Sequence, residues 1–242
     1  HYLPRRVAPF SNAVFVPVEA MGDLDITLRT PTDPRAQMPN GRSPFNNNIL
    51  FLGPDCGVEF PQMECRLFEE AWRIATVDKH PAGTLTAMHA RLFKFDANRS
   101  ALIGLDVDAQ SPCEICLIFD EMLIDGDVIP RRSNCLNAIK YTLPAGEHRL
   151  LSFEPYTFRY LKVCVLKGSV ALRRVYMREI AGVEIARVEF RDARIQEIFD
   201  AAVNTYRQNA TDIFMDCPSR ERAGWLCDSF FTGRSEYALT GD

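Results

Sequence analysis

Apolar and polar positions alternate along this chain first with a period of two and later with a period near 3.6. Leu24, Ile26 and Leu28 alternate with Asp25, Thr27 and Arg29, and Ile103, Leu105 and Val107 alternate with Gly104, Asp106 and Asp108. Alternation of this kind puts every second side chain on one face and predicts half-buried strands. Cys113 to Met122 is apolar on both faces in its middle and predicts an interior strand; the Asp125-Gly126 turn signal before Val128 and Ile129 predicts a hairpin. Phe158 to Lys167 puts Leu161, Val163 and Val165 on one face, and Val170 to Ile180 follows after a Lys-Gly-Ser turn. Many short strands without helical interruption predict a mainly β region over residues 1–182, an antiparallel jelly-roll-like sandwich of one or two modules. Its first 60 or so residues carry Pro31, Pro34, Pro39, Pro44 and Asn46, Asn47 and Asn48. They read as loops wrapped on the same sheets, or as the end of a preceding module.

The period changes after Glu184. From Asp192 to Asn209, Ile195, Ile198, Phe199, Ala202, Val203 and Tyr206 fall at offsets 0, 3, 4, 7, 8 and 11, one continuous helical stripe with Asp192 as its N-cap. After a break at Asp216-Cys217-Pro218, Leu226, Phe230, Gly233 and Tyr237 fall at offsets 0, 4, 7 and 11 and predict a second helix. Residues 183–191 thus read as a linker and 192–242 as the start of a helical domain. Two helices with one stripe each do not make a stable domain alone. The pair either docks on the sandwich or opens a larger helical assembly.

Composition narrows the function classes. With 242 residues, 47% hydrophobic, 25% charged and a net charge of -4, the chain is neither disordered nor of low complexity. The balanced charge argues against a sequence-independent grip on nucleic acid, and the pairs Arg5-Arg6, Arg131-Arg132 and Arg173-Arg174 read as solvated faces. No apolar run is long enough to span a bilayer as a helix. The chain opens at His1 without a Met or an apolar leader, so an upstream stretch is expected; the compartment stays open, with export favoured over the cytoplasm. Eight cysteines spread over so long a chain read as buried thiols. Cys113 and Cys116 fall on opposite faces of a strand, which predicts no metal site, and no cofactor is called for. His80 and His89 read as satisfied histidines.

The chemistry concentrates between the two helices. Asp216 to Asp228 reads DCPSRERAGWLCD, with three carboxylates (Asp216, Glu221, Asp228), two arginines (Arg220, Arg222) and Trp225 on a turn shaped by Pro218 and Gly224. Cleavage of a glycosidic bond needs a carboxyl that donates a proton to the leaving oxygen, and neighbouring carboxylates favour that protonated form while arginines oppose it. Trp225 offers an apolar platform for a sugar face, and carboxylates accept from hydroxyls. The bland alternative makes Arg220, Glu221 and Arg222 a surface ion-pair cluster, Asp216 the cap of the second helix and Trp225 core.

The segment Asp212 to Asp228, DIFMDCPSRERAGWLCD, resembles the active-site signature of the α-L-rhamnosidases of glycoside hydrolase family 78. The preceding NTYRQNATDIF and the strand Thr157 to Val163 are similar to that family's approach to the motif, and the resemblance covers about residues 100–242. It implies β-sandwich modules leading into an (α/α)6 barrel, of which this chain carries the first helical hairpin. It also implies inverting hydrolysis of terminal α-L-rhamnosides in an oligosaccharide, polysaccharide or glycoside. By position, Glu221 corresponds to the general acid. Asp216 and Asp228 correspond to carboxylates that hold rhamnose hydroxyls, with Arg220 and Trp225 lining the same subsite. The family's general base, a Glu far downstream in the barrel, is expected beyond Asp242. The competing readings are a non-catalytic carbohydrate-binding sandwich and a six-hairpin glycosidase for a different sugar.

Overall fold

The structure, a computed structural model, describes residues 13–29, 62–67, 83–128, 131–132, 135–181, 185, 188–211 and 213–241. The Pro- and Asn-rich stretch from 31 to 48, His80 and residues 183, 184, 186 and 187 of the expected linker lie outside the described residues. The described chain forms twelve strands and then two helices: β1 (Val14–Phe15), β2 (Glu19–Arg29), β3 (Gln62–Leu67), β4 (Gly83–Thr86), β5 (His89–Ala109), β6 (Cys113–Asp120), β7 (Arg131–Arg132), β8 (Cys135–Leu136), β9 (Ala138–Leu143), β10 (Gly146–Leu151), β11 (Tyr156–Lys167), β12 (Ser169–Glu179), α1 (Ala193–Asn209) and α2 (Leu226–Thr240). No helix among the described residues is long and apolar enough to cross a membrane.

Strand β5 organises the sandwich. Its first half pairs with β2 through Ala90↔Leu24 and with β11 through Leu92↔Lys162, and β11 passes the layer on to β6 and β9. Its second half pairs with β12 through Leu105↔Val175 and with β10 through Val107↔His148. The change of layer falls where the register with β11 jumps from Phe158↔Arg99 to Tyr160↔Lys94. All of these pairings are antiparallel.

The main core lies between the layers. Phe93, Phe95, Ile103, Leu105 and Val107 of β5 meet Ile115, Leu117 and Phe119 of β6, Leu161, Val163 and Val165 of β11, and Val175 and Met177 of β12. Phe95 and Phe158 pack edge to face with centroids 5.5 Å apart, a favoured aromatic geometry. The polar partners of the alternation point outward, and Gly104 is required there because the Tyr176 ring lies 2.2 Å from where a Cβ would stand. A second cluster, with Leu24, Ile26, Leu92, Cys116, Ile118, Val128 and Cys164, covers the other face of the first layer. Cys113 belongs to the main core and Cys116 to the second cluster, on opposite faces of the strand as its alternation requires, and both are buried.

The Asp125-Gly126 turn is present, with φ of 52° and 82°, closing a bridge between Ile124 and Asp127. Positive φ at both central residues is the signature of a tight hairpin turn. It does not extend the interior strand, however, because β6 takes β9 as its partner. Asp127 instead turns inward to the buried Lys162 of β11, accepting from Nζ at 2.8 and 2.7 Å.

Helix α1 starts where the sequence places it. The Asp192 carboxylate accepts from the amides of Arg194 at 2.8 Å and Ile195 at 3.4 Å, satisfying donors the first turn leaves unpaired. Only the C-terminal end of its apolar stripe is covered: Tyr206 is buried, while Ile195 and Ile198 are 49% and 70% exposed. On α2, Leu226, Phe230 and Tyr237 are exposed as well. The Tyr206 hydroxyl meets Glu236 of α2, which together with burial raises its pKa to about 12.

Candidate active site

The connection from α1 to α2 is a closed loop. Asp216 and Ala223 tie its base: the Asp216 amide donates to the Ala223 carbonyl at 3.0 Å, and the Ala223 amide donates to Asp216 Oδ1 at 3.0 Å. Asp216 therefore braces the loop and does not cap α2, whose N-cap position is Trp225 without a side-chain cap. Inside the loop Pro218 opens a turn, and the Glu221 amide donates to Cys217 Sγ at 3.3 Å. Cys217 and Cys227 are both free thiols.

Glu221 stands at the exposed tip with its side chain 38% accessible. Its Oε2 accepts from the indole Nε1–H of Trp225 at 2.8 Å, and its Oε1 pairs with Arg220. That carboxylate raises the pKa of the Arg220 guanidinium. Trp225, read as core in the bland alternative, is 53% exposed. Asp228 lies exposed in the first turn of α2, where a negative side chain complements the free amides of the helix start. The loop thus brings Arg220 and Trp225 each onto the Glu221 carboxylate, while Asp216 faces its own loop backbone.

Arg222, which the sequence left among the surface charges, has a different task. It adopts φ 51°, and its guanidinium crosses to the sandwich. There it donates to the Pro155 carbonyl at 2.9 Å and to Glu154 Oε2 at 2.7 Å. Two residues after Pro155, Thr157 Oγ1 donates to the Pro218 carbonyl at 3.0 Å. A buried polar network continues from there. Ser100 Oγ lies 2.8 Å from Thr157 Oγ1 and donates to the Gln208 carbonyl at 3.0 Å, and the Ser100 amide donates to Gln208 Oε1. Gln208 Nε2 reaches the buried Glu179 at 3.3 Å, which also accepts from Arg99 at 3.1 Å. The last turn of α1 and the loop that carries Glu221 are fastened to the same end of the sandwich.

Known proteins resemble this chain in the sequence of its helical segment and in its fold. Residues 184–241 match the family model described as the bacterial alpha-L-rhamnosidase 6 hairpin glycosidase domain. The fold is similar to the family 78 rhamnosidase of Bacillus sp. GL1, with TM-score 0.63 and 23% identity over 75% of this chain and 20% of that one. It is similar to a rhamnosidase from Klebsiella oxytoca solved with rhamnose bound, with TM-score 0.65 and 15% identity over 98% of this chain and 42% of that one. The α-L-rhamnosidase of Dictyoglumus thermophilum follows with TM-score 0.51 and 18% identity, over 66% of this chain and 19% of that one. No curated protein matches. The likeness to these structures is one of fold, a β-sandwich that leads into the segment matching the six-hairpin glycosidase model. The chain spans less than half the length of each of these structural relatives.

Proposed function

We propose that this protein belongs to an enzyme that removes terminal α-L-rhamnosyl residues with inversion, with Glu221 as the general acid. The carrying observation is the Glu221 carboxyl at the exposed tip of its loop, oriented by the Trp225 indole at 2.8 Å, inside the segment that matches the rhamnosidase family model. Both Glu221 oxygens act as acceptors in this arrangement, so donation to a leaving oxygen requires Arg220 to turn aside. Arg220 is 48% exposed and free to do so. Trp225 then offers its face to the sugar, with Asp228 and Asp216 as acceptors for rhamnose hydroxyls. Asp216 would reach them through its second oxygen, since Oδ1 is held by the Ala223 amide. An inverting reaction needs a second carboxylate, about 6.5–9.5 Å from the acid, to activate water. We assign it to a segment outside residues 1–242.

The test is hydrolysis of an aryl α-L-rhamnoside by the protein extended through the six-hairpin domain, with the anomer of the released sugar followed by NMR. The reading expects the inverted anomer first and a fall of about 10²–10⁴-fold for Glu221→Gln, the usual contribution of a general acid. Equal rates for the two forms would remove the general-acid assignment. Cleavage of a different aryl glycoside in preference to the rhamnoside would keep the scaffold and change the sugar.

A further inference from the structure

Glu221 follows Pro218 by three residues and precedes Arg222 by one, and both of those neighbours are tied to one short stretch of the sandwich. Thr157 holds the Pro218 carbonyl at 3.0 Å, and Glu154 and Pro155 hold the Arg222 guanidinium at 2.7 and 2.9 Å. The Tyr156 ring lies 5.7 Å from the same guanidinium. The platform is itself fixed. Ser152 Oγ donates to the Glu154 carbonyl at 2.8 Å and accepts from the Ile103 amide of β5 at 2.9 Å, and Thr157 is braced by Ser100.

The backbone of Arg222 shows why such a platform is needed. A non-glycine residue at φ 51° sits in the sparsely populated left-handed region, a conformation that costs on the order of 1 kcal/mol or more and persists only when its surroundings over-determine it. Here the surroundings are the Asp216–Ala223 tie beside it and the two bonds from the guanidinium to the sandwich. Without the guanidinium bonds only the loop-base tie opposes a return to negative φ, and such a return would reorient the peptide between Glu221 and Arg222.

We propose that Arg222 is a positioning residue for Glu221, and that the Glu154–Thr157 stretch of the β-sandwich is a working part of the active site. The inference rests on the general-acid reading of Glu221. Proton transfer requires heavy atoms within about 2.6–3.2 Å, and a misplacement of about 1 Å costs on the order of 100-fold. The sandwich therefore acts on the proton-donation step, and the cost of loosening it depends on how much the leaving group needs that proton.

The experiment uses the full-length enzyme and two substrates, phenyl α-L-rhamnoside, whose leaving group needs protonation, and 2,4-dinitrophenyl α-L-rhamnoside, whose leaving group needs little. Glu221→Gln is the reference, Arg222→Met and Glu154→Ala are the tests, and Arg222→Lys is the conservative variant; circular dichroism and melting midpoints check the fold. Glu221→Gln should lose far more kcat on the phenyl substrate than on the dinitrophenyl one. Arg222→Met should follow the same direction with a differential of about tenfold or more. Glu154→Ala, outside the loop, should follow it to a smaller extent, and Arg222→Lys should recover part of the loss. Equal losses on both substrates for Arg222→Met and Glu154→Ala, beside a leaving-group-dependent Glu221→Gln, would overturn the positioning role and leave the acid in place. A Glu221→Gln variant without leaving-group dependence would overturn the acid reading itself. Should Arg222→Met not fold, Glu154→Ala decides by the same criterion.

Discussion

The indole Nε1–H of Trp225 donates to Oε2 of Glu221 at 2.8 Å, across four residues of a loop that ends in a helix. Trp225→Phe keeps the aromatic face that we propose meets the sugar and removes the donor. A hydrogen bond to a charged group contributes about 1.5–3 kcal/mol, with exposed sites at the low end. The expected result is a fall in kcat/KM of about tenfold in the full-length enzyme, and a larger fall for Trp225→Ala, which removes the platform too. Unchanged kinetics in Trp225→Phe would mean that the indole does not orient the acid in the working state.

The pair of Lys162 and Asp127 sets a stability prediction. The Lys162 side chain is 3% exposed and meets both oxygens of Asp127. Removing one partner of a buried pair costs about 3–5 kcal/mol when both are fully buried. Asp127 is 32% exposed, so water softens the loss. Asp127→Ala is expected to lower the unfolding free energy by about 2–3 kcal/mol in urea titrations. A loss below about 0.5 kcal/mol would show that Lys162 finds other solvation.

Gln208 is the polar bolt between α1 and the sandwich. Gln208→Ala leaves the Ser100 amide without its acceptor and withdraws one donor from the buried Glu179, each a loss of about 1–3 kcal/mol. Hydrogen exchange should report it unevenly: the α1 amides lose protection while those of β6 and β11 keep theirs. Uniform loss along the chain would contradict a local attachment.

Stability in alkali follows from two tyrosines. Burial, and then the Glu154 carboxylate, push Tyr156 up to about 12; burial, and then Glu236, do the same for Tyr206. Unfolded tyrosines ionise near pH 10. Between about pH 10 and 12 the folded protein therefore keeps protons that the unfolded chain has released, and stability falls as pH rises. The slope should reach at most about 1.4 kcal/mol per pH unit for each tyrosine, with no contribution below pH ~10. Denaturation series across this range should be shallower for Tyr156→Phe; an identical slope would place Tyr156 outside the effect.

Much of this was legible in the sequence because it depends on local periodicity. The α1 stripe and the Asp192 cap appear as read, and the outward Asp106 and Asp108 beside inward Leu105 and Val107 follow from alternation alone. The DCPSRERAGWLCD segment stood out by residue type, and it lies inside residues 184–241, which match the six-hairpin glycosidase model. The role of Arg222 was not legible, since its partner Glu154 lies 68 residues away and nothing local marks a positive φ at an arginine. The same holds for Ser100, Thr157 and Gln208, small polar residues whose buried bonds exist only once the sandwich and α1 meet. The full length of β5 was hidden as well. Its polar middle, Asp96 to Ser100, looks like an interruption, whereas the strand runs on through it as it changes layer.

That unbroken β5 has a thermodynamic consequence. One 21-residue strand supplies partners to β2, β11, β10 and β12. Neither layer can melt without pulling a shared segment out of the other. The sandwich is thus a single cooperative unit with one unfolding transition, and the amides of Phe93 and Leu105, on opposite sides of the layer change, should exchange with the same free energy, that of global unfolding.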